Sequence, residues 1–299
     1  MNFNVQQLNE LKQRAIKAAL AAGAIINAHR HSSFHIQQKN VGSSAASQIV
    51  TEVDHTAQAA ILAILQPSCL SYDLALLAEE SRDDGERHQK AAFWCIDPMD
   101  GTLAFVKQEA GFSVSIALVA QNGTPLIGVV FDPVTETLFS AVRGQGAYKN
   151  GCLMQRPKLD QAQPLVLTTD FSFQQHRWLQ QTQTGLEAIA DVLDLPGAEI
   201  HFRIGAVMNA CHLLETPNHC YFKYPREGAS GGSLWDYAAT ACLFHEVGAV
   251  AVDIEGQPLA LNRLTTTFMN HRGLLYAGNE SVAEQIMGLY QRFLACSGA

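Results

Sequence analysis

The chemistry in this chain concentrates in FWCIDPMDGT, residues 93–102, where an apolar run stops at two aspartates, Asp97 and Asp100, on either side of Pro98. Like charges held this close repel unless something positive lies between them. Pro98 fixes φ and removes a donor, which predicts a turn just after Asp97. Asp100 then folds back towards Asp97, Gly101 permits close backbone approach, and Thr102 opens a short helix over residues 102–107. A helix start beside two acids suits a divalent cation and a phosphate alike. An aspartate cap on a turn, with solvated side chains, would explain the same residues.

Two other segments carry acids in comparable settings. Glu79 and Glu80 close a strand expected within residues 73–80, ahead of the charged loop SRDDGERHQK, where most such pairs are simply solvated. Asp236 follows Trp235 at the start of an apolar helix, and an ordinary N-cap or first-turn acid is the plain alternative there. Together Glu79, Asp97, Asp100 and Asp236 make a hard-oxygen set suited to two or three Mg²⁺ ions. No histidine or cysteine accompanies them, so magnesium fits better than zinc.

The elements that must position these acids follow from periodicity. The N-terminal stretch repeats apolar residues at helical spacing (Leu8, Leu11, Ala15, Ala18, Ala22, Ile25, Ile26), with charges between them, so it reads as an amphipathic helix and not a signal peptide. Two short extended pieces joined near Gly42 come next, then a helix over residues 55–65 stopped by Pro67. A strand over 92–96 leads into the acidic motif. FSVSIALVA, TPLIGVVFD and TLFSAVR alternate between turn signals and predict an antiparallel meander. Beyond about residue 160 strands and helices alternate: a strand near 165–168, a helix around 175–191, a helix in WDYAATACLFHEVGA capped by Gly248, strands in AVAVDI and GLLYAG, and a capping box over 281–284 opening the last helix. The order predicts an α/β protein of fused layers, with an N-terminal part over 1–160 and a C-terminal part over 161–299.

Composition narrows the function classes. The chain has 299 residues, 47% hydrophobic and 16% charged, a globular balance. Its net charge of −8 argues against general attraction to nucleic acid or anionic membrane surfaces. Seven cysteines with no C-x-x-C pair read as small core residues in a reducing cytosol. No apolar run approaches the ~18 residues a membrane span needs.

AEES at 78–81, IDPMDGT at 96–102 and WDYAA at 235–239, in this order and spacing, resemble the inositol monophosphatase superfamily of Mg²⁺-dependent, often Li⁺-sensitive phosphatases. VTEVD at 50–54 resembles that family's upstream V-T-x-x-D element, and the similarity covers nearly the whole chain. The resemblance implies an alternating α/β/α/β/α five-layer sandwich, shared with fructose-1,6-bisphosphatase, and a homodimer; with the cysteine usage, the expected location is the cytoplasm. It implies Glu79, Asp97 and the Met99 carbonyl as ligands of a first metal, and Asp97, Asp100 and Asp236 as ligands of a second. Glu80 would stand behind them or hold a third ion. Gly101 and Thr102 would offer backbone N–H groups to the phosphate, and the Thr102 hydroxyl, paired with Asp54, would orient the attacking water, with Glu79 also in the catalytic set. Asp100, Asp236 and Gly205 fall on the substrate side, although Gly205-Ala206 stands where the family commonly has Gly-Ser.

Two substrates of that family compete: inositol phosphates, and 3′-phosphoadenosine 5′-phosphate, handled by the 3′(2′),5′-bisphosphate nucleotidase branch. LAFVKQEAGFSVSIAL looks more like the nucleotidases. YFKYPREGASGGSLWD carries Lys223 and Arg226, cations that could meet a second phosphate, with ordinary surface charge as the alternative. The Gly-rich 228–232 stretch reads as a loop beside the site, and any role for Lys39 stays open. His29, His31 and His35 form a tract that reads as the polar end of the first helix and its exit loop, with metal binding as the other reading. The expected partner is a small phosphorylated metabolite, with no nucleic acid polymer and no membrane. A catalytically silent binding protein on the same fold is the rival of a different class.

Overall fold

The computed structural model describes residues 3–31, 36–38, 49–228 and 232–297. Helix α1 (Val5–His29) opens with a capping box in which Asn4 Oδ1 accepts from Gln7 N at 2.9 Å. It buries the stripe read from its periodicity, from Leu8 and Leu11 to Ile26. Strands β1 (Ile36–Gln38) and β2 (Ile49–Thr51) pair antiparallel, as the two extended pieces require; Gly42, Lys39 and His35 lie outside the described residues. Helix α2 (Glu52–Tyr72) does not stop at Pro67 but carries it inside. Pro67 is exposed, and the turn beyond it is held by tertiary contact: Trp94 Nε1 donates to the buried Ser68 Oγ at 3.0 Å. That anchorage offsets the backbone bond that proline removes.

Seven strands follow as β3 (Ala75–Ala78), β4 (Ala92–Asp100), β5 (Ser113–Ala120), β6 (Pro125–Asp132), β7 (Thr137–Val142), β8 (Ala147–Lys149) and β9 (Cys152–Leu153), with the short helix α3 (Thr102–Val106) after β4. They lie side by side in chain order in one sheet, β3 parallel to β4 and every later pair antiparallel. The second half supplies β10 (Leu165–Thr169), α4 (Leu179–Val192), β11 (Ala198–Phe202), α5 (Ala206–Leu213), β12 (His219–Lys223), α6 (Leu234–Val247), β13 (Val250–Val252), β14 (Leu274–Ala277) and α7 (Glu280–Ser297). Its five strands order as β11-β10-β12-β14-β13. The last helix opens at Glu280 with Asn279 Oδ1 accepting from Ser281 N at 2.9 Å, so the box expected over 281–284 falls inside the helix.

Strand alternation assigns the layers. Trp94 and Ile96 of β4 pack with Val114, Ile116 and the apolar faces of α1 and α2. Phe93 and Cys95 point the other way, into a core shared with α5, α6 and Tyr221, Leu274 and Tyr276 of the second sheet. On that sheet's far face Leu167, Phe222 and Leu275 meet Leu186 and Ile189 of α4 and Ile286 and Leu289 of α7. The result is the α/β/α/β/α sandwich: the seven-stranded and five-stranded sheets, each covered on both sides, with α5 and α6 in the middle layer. Each fully buried large side chain contributes roughly 1.5–3 kcal/mol through burial.

Candidate active site

Strand β4 continues through Asp100 and does not turn after Asp97. Asp97 faces Ser115 on β5, while Asp100 faces Ser113, so the register shifts between them. An extra residue in one strand makes a bulge that re-aims side chains, and Pro98, which has no N–H to donate, is tolerated there because the bulge leaves its position without a ladder partner. Met99 N donates back to Asp97 Oδ1 at 2.9 Å. Both acids are thereby held at the end of the same strand, on backbone that is itself buried.

Asp236 arrives from the opposite half of the chain. It is the third residue of α6, not its cap: Ser233 is the N-cap, and Asp236 Oδ2 accepts from Ser233 N at 2.6 Å. Ser115 Oγ, opposite Asp97 on β5, donates to Trp235 O at 2.9 Å and seats this turn against the first sheet. One carboxylate oxygen from each of Asp97, Asp100 and Asp236 lies within 4.8 Å of the other two. Glu79 follows directly on β3, its N donating to Ile96 O at 3.1 Å, and its charge raises the pKa of both Asp97 and Asp236. The expected acids do converge.

Thr102 stands beside them at the start of α3. Its hydroxyl lies 3.1 Å from both Asp54 Oδ1 and Met99 O. The other oxygen of Asp54 accepts from Thr51 N at 2.7 Å and Thr51 Oγ1 at 2.6 Å, the capping box of α2. Asp54 is thus fixed by its own helix start, leaving one oxygen for Thr102.

Asp100 is bound from α5: Val207 N and Ala206 N donate to its two oxygens at 2.9 and 3.3 Å. This contact depends on glycine. Gly205 has φ +90°, and a Cβ there would fall on the Gly111 carbonyl oxygen; one on Gly101 would come within 2.6 Å of the same atom. Three backbones meet where no side chain fits, and this is what brings α5 to the end of β4.

Electrostatics make the cluster costly as it stands. Burial, then Glu79, Asp236 and Asp100, hold the Asp97 carboxyl well above the ordinary range. Burial and Asp236 do the same for Asp100, against the two α5 N–H bonds. Asp236 is raised to about 6 by burial and Glu79, with Ser233 N and Lys223 opposing. Burial also raises Asp54, partly offset by Thr51. Packed carboxylates whose charged forms are this disfavoured, with oxygen as the donor type, fit hard divalent cations such as Mg²⁺.

The remaining expected residues are placed as follows. Glu80 N donates to Gln58 Oε1 at 2.9 Å, and Gln58 Nε2 donates to Ser81 Oγ at 2.8 Å, so α2 clamps the turn that carries Glu79 and Glu80. Lys223 ends β12 with its side chain only 16% exposed, its ammonium 2.6 Å from Asp170 and 3.0 Å from the Tyr237 hydroxyl. Burial alone would lower its pKa, but Asp170 and Tyr237 outweigh that and keep it a charged lysine. It is neither solvated surface charge nor a free cation. Arg226 donates to Ser172 Oγ at 3.4 Å on the exposed side. His29 Nδ1 lies 2.8 Å from Ile25 O at the end of α1, and His31 is exposed. Residues 229–231 of the Gly-rich loop lie outside the described residues.

Three positioning residues escaped the sequence reading: Gln58, Ser115 and Asp170. Thr51 lies in the VTEVD element, whose T-x-x-D spacing is also that of a capping box. The other three act across 22 to 120 residues of chain or as one half of an ion pair, which spacing does not reveal.

Comparison with known proteins agrees with this geometry. A family model described as the inositol monophosphatase family matches residues 7–292. A Nus factor SuhB from Vibrio cholerae is 32% identical, with 81% of this chain and 84% of that protein aligned. An inositol-1-monophosphatase from Bacillus subtilis is 27% identical over 96% and 97% of the two chains. The structure of an inositol monophosphatase from Anabaena (Nostoc) superposes with a TM-score of 0.70 at 22% identity, covering 95% of this chain and 96% of that one, which is a likeness of fold. With the family model spanning almost all of its length and its acids converging as described, this chain belongs to the inositol monophosphatase family.

Proposed function

We propose that the protein is a Mg²⁺-dependent phosphomonoesterase and that its favoured substrate is 3′-phosphoadenosine 5′-phosphate. The observation that carries the activity is the convergence of Asp97, Asp100 and Asp236 within 4.8 Å, beside the Thr102–Asp54 pair. Glu79, Asp97, Asp100, Asp236 and the Met99 carbonyl would hold two or three Mg²⁺ ions, with Glu80 behind them. When bound, these ions supply the positive charge that makes water a nucleophile at neutral pH and neutralises the leaving oxygen.

The chain's own residues do the rest. Asp54, fixed by Thr51, accepts from the Thr102 hydroxyl, whose oxygen would then accept from the attacking water. Thr102 N and Gly101 N at the start of α3 offer hydrogen bonds to phosphate oxygens. Ser233 and Ser115 keep the first turn of α6 rigid, so Asp236 does not need to be ordered at each turnover. Lys223 with Asp170 and Tyr237 forms a polar wall beside Asp236, suited to the part of a substrate away from the reacting phosphate, and Arg226 adds charge further out.

The nucleotide is favoured over an inositol phosphate by the positive charge of Lys223, although Asp170 and Tyr237 already hold it, and of Arg226 further out, towards which a second phosphate would be drawn. Lithium sensitivity, a homodimer, a cytoplasmic location and subdomains over 1–160 and 161–299 complete this reading; among the described residues no helix is long and apolar enough to cross a membrane. A partner-binding role is the second reading, favoured by relatives named Nus factor SuhB. The test is phosphate release from 3′-phosphoadenosine 5′-phosphate and from inositol 1-phosphate, side by side in Mg²⁺ and in EDTA. A tenfold or greater preference for the nucleotide in kcat/KM supports the proposal. Preference for inositol phosphate overturns the substrate, and silence on both in Mg²⁺ overturns the activity in favour of the binding role.

A further inference from the structure

Three histidines from separate elements gather at one corner of the second sheet. His201 lies on β11, His212 in the last turn of α5 and His219 at the start of β12. Strand register explains the meeting. His201 pairs with Thr168 on β10 and His219 with Val166, two residues earlier on that strand, so both imidazoles stand on one face of the sheet. Tyr221 shares that face and packs with α5, the helix that brings His212. The ring centroids of His212 and His219 are 5.7 Å apart and those of His201 and His219 6.4 Å, each pair edge-on at 79°.

These rings are short of partners. His219 Nδ1 is shielded from solvent and makes no hydrogen bond among the described residues, an expensive arrangement for a polar atom. Burial, then Arg203 and neighbouring rings, lowers the pKa of His212, and burial with the two other rings lowers His219 to about 4. Both are therefore neutral at pH 7, the form that carries a ligating lone pair. His201 differs: its Nε2 lies 2.7 Å from Glu199 Oε2. With the proton on Nε2, its Nδ1 keeps a lone pair, the pairing with carboxylate that orients metal-bound histidines. The nearby charges nearly cancel. Arg203 opposes a cation, Glu199 favours one, Glu215 is already paired with Lys149, and the C-terminal carbonyls of α5 add partial negative charge.

We propose that His201, His212 and His219 form a second metal site, for a borderline divalent ion such as Zn²⁺, with a water as fourth ligand and Glu199 orienting His201. Three imidazoles in near-neutral surroundings bind through lone pairs more than through charge, which selects Zn²⁺ and its neighbours over Mg²⁺. With Zn–N bonds of about 2.0–2.1 Å, two imidazoles on one tetrahedral ion have centroids roughly 5 Å apart. The nitrogens of the three rings do not yet converge as those of a formed site do, and rotation about χ1 and χ2 closes the remaining distance. His201 has a side chain 39% exposed, which gives an ion a way in. The ion would staple β11 and β12 to the end of α5. His212 lies roughly 9 Å along that helix from Ala206, whose N–H binds Asp100, so the staple braces the helix that holds a catalytic acid.

The test uses the full chain freed of metal, with Zn²⁺ offered through a chromophoric competitor in saturating Mg²⁺, so that the carboxylates are occupied. The wild type is expected to take up a single Zn²⁺, and Co²⁺ in its place to show the intense visible bands of a tetrahedral ion. His219→Ala and His212→Gln should each weaken Zn²⁺ binding by about a hundredfold, and Glu199→Gln by about tenfold. His212→Gln, at a half-buried position near the helix end, carries the reading should His219→Ala not fold. Asp97→Asn should leave Zn²⁺ binding unchanged, which keeps this site separate from the phosphatase reading. No uptake of Zn²⁺ by the wild type overturns the proposal. So does uptake that is equal in wild type and His212→Gln, or that disappears in Asp97→Asn, since either result puts the ion at the carboxylates or elsewhere.

Discussion

Ser115 Oγ donates to Trp235 O across 2.9 Å, joining the strand position opposite Asp97 to the turn of α6 that carries Asp236. The bond spans 120 residues of sequence and fixes the distance between acids from the two halves of the chain. Ser115→Ala should leave the fold intact and cost about 1 kcal/mol of stability. Mg²⁺ affinity should weaken several-fold because Asp236 loses its anchor, which calorimetric titration of the variant would measure.

Asp97→Asn should separate stability from function. Asp97 is a buried carboxylate crowded by Glu79, Asp236 and Asp100. Its neutral isostere is expected to raise the Tm in EDTA, because one charge leaves a repulsive cluster. The same change should lower phosphatase activity by orders of magnitude and remove most of the Tm gain on adding Mg²⁺. Differential scanning calorimetry with and without Mg²⁺ reads both effects; a fall in the EDTA Tm would contradict the electrostatic account.

The pH dependence has a definite sign. Asp236 is raised to about 6 by burial and Glu79, and Asp97 and Asp100 are raised by burial and neighbouring acids. A carboxylate with a raised folded-state pKa contributes stability that is fully present below its unfolded value and is lost as pH rises through the folded value. Metal-free protein should therefore lose stability from these groups as pH climbs from about 4 through about 6. His176 and His219 act oppositely: burial, then neighbouring cations and rings, lowers each to about 4, so their contribution is present above the ordinary histidine value and is lost as pH falls through about 4. The histidines act equally with and without metal, so the Mg²⁺-induced gain in Tm isolates the acids. That gain should grow as pH rises from 5 to 7, and a flat or falling gain would refute the assignment.

Gly205→Ala is expected to be severe. The position has φ +90°, and the new Cβ would land on the Gly111 carbonyl oxygen. Left-handed strain and the clash together should cost about 2 kcal/mol or more, seen as a shifted urea midpoint. Because α5 would withdraw from Asp100, activity should fall further than stability alone explains.

Much of the fold was legible because it rests on short-range rules. The α1 stripe, the meander of β5 to β7 and the Gly248 stop of α6 all follow from periodicity and single-residue conformational preference. Misreadings arose where a distant contact outweighed a local rule. Pro67 stays inside α2 because Trp94 holds Ser68 beyond it, and β4 passes Pro98 because β5 accommodates a bulge. Lys223 could be read only as a phosphate ligand or as surface charge, because its partner Asp170 is 53 positions away in the chain.

By itself the sequence determined which acids exist, in what order, and which of them close a capping box with the N-cap of their own helix: Thr51 with Asp54 and Ser233 with Asp236 are pairs three residues apart, closed by local geometry. The family followed from the same motifs. Only the tertiary structure decided that β4, α2, α3, α5 and α6 meet at one point. That meeting depends on the layering of two sheets around α5 and α6, and on Gly101, Gly111 and Gly205 letting three backbones touch. Contacts between segments so far apart in the chain depend on packing of the whole core, and no spacing along the chain encodes that distance.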